Sequence, residues 1–366
     1  MTEWDGVQLA GFELRSARLV LRRWRPADAP AVVEIMRDPR MSEYLPLPRP
    51  YTTADAQELV AAAAKPGNRL ELAVVRDGRL VGAIGIAHPA GAPGSAEIDY
   101  WVASNHWGAG YATEAVRTLA RFAFERGLHR LQIRGDIGNV GSARVALRAG
   151  FSFEGIARLG SRSQQGLADH AVFARLSTDS DAQVPPSWPE LPELTDGVLL
   201  LRKTGPDDWQ TLHAETANPE SQRWGFGDEQ TEQVALQRAQ SAGLNWLVGR
   251  SADLIIGDVA TGAAAGTMNL RWVGPPDVVG IGYGILPEFR GRRFTTRALR
   301  LIADWAFGQT SIVRLELGCK VDNVASARSA ELAGFIRDGR FASRLRNPDG
   351  SYSDEIGFGL TRDHRR

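Results

Sequence analysis

Two halves of this 366-residue chain carry the same residues in the same order. Leu21-Arg22 followed by Pro26-Ala27-Asp28 returns 180 positions later as Leu201-Arg202 followed by Pro206-Asp207-Asp208. Ala123-Phe124 returns as Ala306-Phe307, 183 positions on, and Asn139-Val140-Gly141-Ser142-Ala143-Arg144 as Asn323-Val324-Ala325-Ser326-Ala327-Arg328, 184 positions on. Both copies close on Gly-Phe, at Gly150-Phe151 and Gly334-Phe335. A period this long far exceeds a solenoid unit, so it marks a duplicated domain. Whatever fold suits one half must suit the other.

Between the copies, Ser177 to Pro192 carries Pro185, Pro186, Pro189 and Pro192 in a polar stretch, which favours a semi-rigid extended linker. The expected organisation is a first domain over 1–176, a linker over 177–192 and a second domain over 193–366. Hydrophobic residues at 43% and charged residues at 23% suit a chain that folds throughout. Lys plus Arg balances Asp plus Glu at 43 each, leaving no net field to attract nucleic acid or an anionic membrane, so neither is expected as a partner. The single cysteine, Cys319, excludes an intramolecular disulfide, and the six histidines lack metal-ligand spacing, so no metal is expected. Met1 to Arg25 lacks the apolar core of a signal peptide and no run approaches a membrane span, so the expected location is cytoplasmic.

Each copy alternates strands and helices. In the first, Leu19 to Leu21 reads as a strand and Ala27 to Arg37 as a helix, and Leu72 to Val75 with Val81 to Ile86 flank a hairpin signal at Arg76-Asp77-Gly78-Arg79. A strand over Glu97 to Val102 then runs through a glycine turn into a helix whose apolar positions Ala112, Ala115, Val116, Leu119 and Ala123 keep the helical period, with Gly127 as its C-terminal stop. A strand at Leu131 to Arg134, a short helix at Asn139 to Ala149 and a final strand pair complete an α+β domain.

The chemistry concentrates in Asn105-His106-Trp107-Gly108-Ala109-Gly110-Tyr111-Ala112, where a strand hands over to a helix. A glycine-rich turn there aligns unpaired N–H groups with the positive end of the helix dipole, an anion site suited to phosphate. Taken with Tyr111-Ala112-Thr113-Glu114-Ala115 and the later Asn139-x-x-Ser142 through Gly150-Phe151, this segment resembles the GNAT acyltransferase family. Over Leu14 to Leu176, including Asp169-His170, it is most similar to the ribosomal-protein N-terminal acetyltransferase subgroup. It departs from the family at Asn105, where Gln or Arg is usual. The resemblance implies two tandem GNAT domains, each a mixed, splayed central sheet flanked by helices with an acyl-CoA arm between two parallel strands. It further implies that acetyl-CoA, as cosubstrate, contacts Asn105 through Ala112 (Trp107, Gly108, Ala109, Gly110 and Tyr111 between them) together with Asn139 and Ser142. Its thioester carbonyl would meet backbone N–H groups near Trp101 and Val102.

Transfer to an amine needs a neutral nucleophile, yet a lysine amine titrates near ~10.4 and an α-amine near ~7.7–8.0. Glu97 and Asp99 share one strand face with Trp101 by period-two alternation, opposite Ile98, Tyr100 and Val102, and either attract an ammonium and take its proton through a water or form an ordinary solvated face. Ser142, three residues after Asn139, is either a residue at the third helical position behind an N-cap or, as the resemblance implies, the group that protonates the departing thiolate.

The second copy replaces Glu97, Asp99 and Trp101 with Gly280, Gly282 and Gly284, and puts Arg293 where Gly110 sits, within Arg290-Gly291-Arg292-Arg293. Its acyl-CoA loop is expected to be degenerate. The expected function is acetyl transfer to a primary amine, on a small molecule or a protein N-terminus, catalysed in the N-terminal domain. The halves are expected to pair as an intramolecular pseudo-dimer within a monomeric protein. Two alternatives stand beside it: catalysis in the C-terminal domain, with Ser326 as acid and Glu316 or Asp322 as base, or a non-catalytic acyl-CoA-binding module.

Overall fold

Asp77 and Gly78 both adopt positive φ, 48° and 76°, the combination a two-residue type I′ turn requires. The turn joins β3 (Arg69–Arg76) to β4 (Arg79–Ala87) as the sequence signal predicts. The structure is a computed structural model that describes residues 12–365 apart from 66–67, 90–91, 164–165, 181, 183–187, 226–230 and 348. It divides into two compact units, Met1–Pro185 and Pro186–Arg366. Part of the expected linker, 183–187 with Pro185 and Pro186, lies outside the described residues. Trp188 and Leu191, from the same stretch, are buried in the second unit, where Trp188 stacks on Trp272 with centroids 4.5 Å apart.

The first unit contains β1 (Glu13–Arg15), β2 (Val20–Arg22), α1 (Ala29–Met36), α2 (Thr53–Ala64), β3, β4, β5 (Ser95–Val102), α3 (Tyr111–Glu125), β6 (Arg130–Asp136), α4 (Val140–Arg148), β7 (Ser152–Ser163) and β8 (Gly166–Leu176). Its eight described strands lie in the order β1-β2-β3-β4-β5-β6-β8-β7, and only β5 and β6 are parallel neighbours. Helices α1 and α2 bury Val32, Val33, Ala56 and Val60 against Ala73, Val75 and Ala83 on one face. On the other, α3 is tied to α4 by Arg117 donating to the Arg148 carbonyl at 2.6 Å.

The second unit repeats this with β9 (Leu194–Thr195), β10 (Leu199–Lys203), α5 (Trp209–Ala217), α6 (Pro219–Trp224), α7 (Glu232–Val248), β11 (Ala252–Asp258), β12 (Ala264–Trp272), β13 (Val278–Ile285), α8 (Phe294–Gln309), β14 (Arg314–Lys320), α9 (Val324–Leu332), β15 (Ile336–Arg346) and β16 (Tyr352–Thr361). Its strand order is the same, with β13 and β14 the parallel pair.

The repeated residues are the ones that build this scaffold. Arg22 grips Asp28 in a two-pronged pair at 2.8 and 2.7 Å, and Arg202 grips Asp208 at 2.7 Å twice. Asn139 and Asn323 cap α4 and α9 by accepting from the N–H of Ser142 at 2.9 Å and of Ser326 at 3.1 Å. Gly150 and Gly334 stop those helices at φ 86° and 96°, with Phe151 N–H reaching back to Ala146 O and Phe335 N–H to Ala330 O, so a left-handed C-terminal cap explains the repeated Gly-Phe. Asp169 holds a bulge by accepting from Leu159 N–H, and Asp354 does the same for Ser343 N–H, both at 2.8 Å. Among the described residues no helix is long and apolar enough to cross a membrane.

Candidate active site

Strand β5 runs to Val102 and β6 to Asp136, yet their parallel pairing covers only Ser95–Arg130, Ala96–Leu131 and Glu97–Gln132. Beyond Glu97 the strands part and leave a gap. On its other side β5 stays paired to β4 as far as Val102, and Ala103 N–H continues the ladder to Val81 O at 2.9 Å. Because amide direction alternates along a strand, the odd-numbered N–H groups point to β4 and those of Ile98, Tyr100 and Val102 point into the gap. Of the two N–H groups expected near a thioester, that of Val102 faces the gap and that of Trp101 faces β4. The Val102 carbonyl accepts from Trp107 Nε1 at 2.8 Å, which ties the following loop to the strand end.

That loop is a 3-10 turn at Ser104–His106, with Asn105 exposed, followed by Gly108 and Gly110 at φ 78° and 81°. Such dihedrals favour glycine. The first helical bond of α3 runs from Glu114 N–H to Gly110 O at 3.1 Å, so the N–H groups of Tyr111, Ala112 and Thr113 precede the helical ladder at the positive end of its dipole. Sequence reasoning missed two arginines here. Arg18 bonds Glu114 at 2.7 Å and the Ala109 carbonyl at 3.1 Å, and the guanidinium groups of Arg18 and Arg76 stand 4.9 and 5.2 Å from the Tyr111 ring centre. Arg76 lies 28 residues before the start of the loop and Arg18 further still, and no local pattern links them to it.

The two faces of β5 carry different chemistry. On the α4 face, the Tyr100 hydroxyl lies 3.0 Å from Ser142 Oγ and 3.2 Å from the Ser142 carbonyl. Burial pushes the Tyr100 phenol well above its ordinary range, only partly offset by Ser142, so it stays neutral. Tyr100 was read from the sequence only as an apolar-face residue. Its hydroxyl, carried on β5, is the side-chain partner of Ser142.

On the opposite face stand Glu97, Asp99 and Trp101, as alternation predicts. Burial raises the Glu97 carboxyl, against the opposing charge of Arg134. Asp99 is paired with Arg69 at 2.5 Å, and Arg69 also pairs with Glu71. Glu71, Gly85 and Asp99 lie abreast on three strands, and a Cβ on Gly85 would sit 2.6 Å from the Arg69 guanidinium and 2.9 Å from the Glu71 carboxylate. The bare glycine is what lets Arg69 lie across the sheet. Burial also raises Glu71, with Arg69 opposing. Arg69, Glu71 and Asp99, with Trp24, Leu59, Ala63 and Trp101, line a cleft of about 310 Å³. Arg69 and Glu71 were not anticipated; an Arg-x-Glu on a half-buried strand opposite a strand glycine was the available signal.

The second unit repeats the gap, with β13 and β14 paired only over Val278–Arg314, Val279–Leu315 and Gly280–Glu316. It also repeats the hydroxyl contact, Tyr283 to Ser326 at 2.9 Å, and burial pushes Tyr283 up to about 12. The glycine face is not empty, as it looks in sequence. Cβ atoms there would collide with Val273 at Gly280, Asn269 at Gly282 and Glu215 at Gly284, so neighbouring side chains have filled the space. Its loop keeps left-handed geometry at Gly291 and Arg293, φ 73° and 60°. Arg292 pairs with the buried Asp258 at 3.0 Å, and Arg290 with Glu220 while donating to the Ile285 carbonyl at 3.2 Å. Two of the three loop arginines are thus committed within the protein.

Comparison with known proteins matches both halves. The family model "Acetyltransferase (GNAT) domain" matches residues 18–152 and again 199–336. The uncharacterized N-acetyltransferase p20 of Bacillus licheniformis is 27% identical over 173 residues, 45% of this chain and 97% of that protein. The probable N-acetyltransferase YjcK of Bacillus subtilis (strain 168) is 39% identical over 107 residues, 29% of this chain and 59% of that protein. Among solved structures, Mycobacterium smegmatis RimJ in complex with CoA-disulfide is 26% identical over 45% of this chain and 86% of that one, with a TM-score of 0.41. With the family model matched twice and spanning most of its length, the chain belongs to the GNAT acetyltransferases as a tandem of two such domains.

Proposed function

We propose that the first unit catalyses transfer of an acetyl group from acetyl-CoA to a primary amine by direct attack on the thioester. The observation that carries this reading is the gap beside β5, which has carboxylates on one face of the strand and a hydroxyl pair on the other. An amine held on the carboxylate face loses a proton to Glu97 through a water, since a buried carboxyl with a raised pKa is a better base than an exposed one. Asp99, neutralised by Arg69, serves binding more than proton transfer. The nitrogen then attacks the thioester carbon, and the oxyanion meets the Val102 N–H; one such donor contributes roughly 3 kcal/mol elsewhere. When the C–S bond breaks, its electron pair goes to sulfur on the hydroxyl face. A thiol titrates near ~8.5, far below Tyr100, so Ser142 backed by Tyr100 stabilises the thiolate by hydrogen bonding while the proton released by the amine balances the reaction. The loop from Asn105 to Ala112 holds the pyrophosphate.

One observation favours a second reading, catalysis in the second unit: the Tyr283–Ser326 contact repeats the hydroxyl pair. The committed arginines and the side chains filling the glycine face weigh against it. Replacing Glu97 with Gln and Ser142 with Ala in the full chain, and following thiol release from acetyl-CoA with a panel of amines, tests the assignment. Undiminished release in both variants would sink it.

A further inference from the structure

We propose that the acceptor is a monocationic primary amine on a compact, neutral, apolar body, seated in the cleft beneath the C-terminal end of α2. This rests on the first unit being the acetylating site. The cleft has two unlike ends. Leu59, Ala62 and Ala63 of α2 face Trp24 and Trp101, whose ring centres stand 6.4 Å apart at 35°, so this end offers largely apolar walls, with one buried donor, Trp24 Nε1, that has no partner among the described residues. At the other end, Arg69 supplies one positive charge against the carboxylates of Glu71 and Asp99. One negative charge is left over, which a single ammonium balances.

A second ammonium would have to enter the apolar end or crowd Arg69, and a carboxylate on the acceptor would face two carboxylates already present. A volume of about 310 Å³ is near the lower limit of small-ligand pockets, ~300–1,000 Å³, so one ring or a short branched alkyl fills it. With the body against the tryptophans, the amine lies toward Asp99 and hence toward β5 and the gap. The reaction then balances. The ammonium gives its first proton to Glu97, nitrogen bonds the acetyl carbon, the C–S bond breaks with its electron pair going to sulfur, the second proton lost by nitrogen protonates that thiolate, and amide and CoA thiol leave.

The test uses the full chain with acetyl-CoA and four acceptors: phenethylamine, phenylalanine, spermidine and a tetrapeptide with a free N-terminus. Thiol release should show kcat/KM for phenethylamine at least about tenfold above the other three, the scale on which pocket contacts discriminate. Ala63→Trp, which fills the cleft, should raise the phenethylamine KM about tenfold and leave the acetyl-CoA KM unchanged. Should that variant misfold, Leu59→Ala widens the cleft instead and should raise kcat/KM for phenylbutylamine relative to phenethylamine by about threefold. Preference for spermidine, phenylalanine or the peptide would overturn the proposed acceptor class while leaving acetylation standing. No thiol release with any of the four, in protein that binds acetyl-CoA, would remove both.

Discussion

Neighbouring residues of one strand take opposite roles here because a strand turns each successive side chain to the other face. Asp99 looks at Arg69 and the cleft, and Tyr100 looks at Ser142. If Ser142 acts on the leaving thiolate, Ser142→Ala should lower kcat by about a hundredfold with little change in acetyl-CoA affinity, because the interaction exists only once the C–S bond is breaking. Tyr100→Phe should lower kcat less, and the double variant should be little worse than Ser142→Ala, since the hydroxyls act in series. Stopped-flow turnover with calorimetric affinity reads both. If Glu97 is the base, it carries the pH dependence. A base works deprotonated and burial raises its pKa, so kcat/KM should climb through a pH above the ordinary carboxylate range. Glu97→Gln should abolish that limb, and a retained limb would point to another base. That Glu97, Asp99 and Trp101 share a face was legible from spacing alone. The Arg69–Asp99 pair was not, because it joins positions 30 residues apart.

Among the elements, the repeat showed where the scaffold is held before it showed how. Leu-Arg and Pro-x-Asp recur because the arginine of β2 or β10 forks onto the aspartate at the start of α1 or α5. Asp28→Asn should therefore cost about 3 kcal/mol, the scale of leaving one partner of a buried pair alone, readable as a lower urea midpoint. Burial works to raise the Asp28 carboxyl, but its hydrogen bonds and ion pair with Arg22 outweigh burial and depress it. The stability it contributes is thus present above the unfolded value of ~3.9 and is lost as pH falls through the folded one. Gly110 is the matching position on the ligand side. Gly110→Arg copies the second unit and should weaken acetyl-CoA binding by about tenfold or more, through bulk at the helix start and left-handed strain on a non-glycine residue. Unchanged affinity in folded protein would mean the loop at Gly110 does not approach the pyrophosphate. Helix starts, turns and the glycine loop were readable locally, whereas the pairing limit at Glu97–Gln132 belongs to the sheet as a whole.

At the scale of the whole molecule, the two units share the scaffold and differ at the positions proposed to face ligand. Arg–Asp forks, asparagine caps, Gly-Phe stops, bulges and the Tyr–Ser contact are common to both units. Glu97, Asp99, Trp101 and Gly110 are not, and the second unit fills the corresponding space with Val273, Asn269 and Glu215. The duplication and the two-unit division were legible because repeated motifs need no tertiary knowledge. The refilling was not, because Glu215 reaches Gly284 from another element. The shared hydroxyl pair makes the most direct comparison possible, since equivalent changes can be made in equivalent surroundings. Two full-length variants, Tyr100→Phe with Ser142→Ala and Tyr283→Phe with Ser326→Ala, should be assayed for thiol release from acetyl-CoA with the same amine. If acetyl transfer resides in the first unit, the first variant loses about a hundredfold in kcat and the second turns over as the parent does. Loss confined to the second variant would contradict the account.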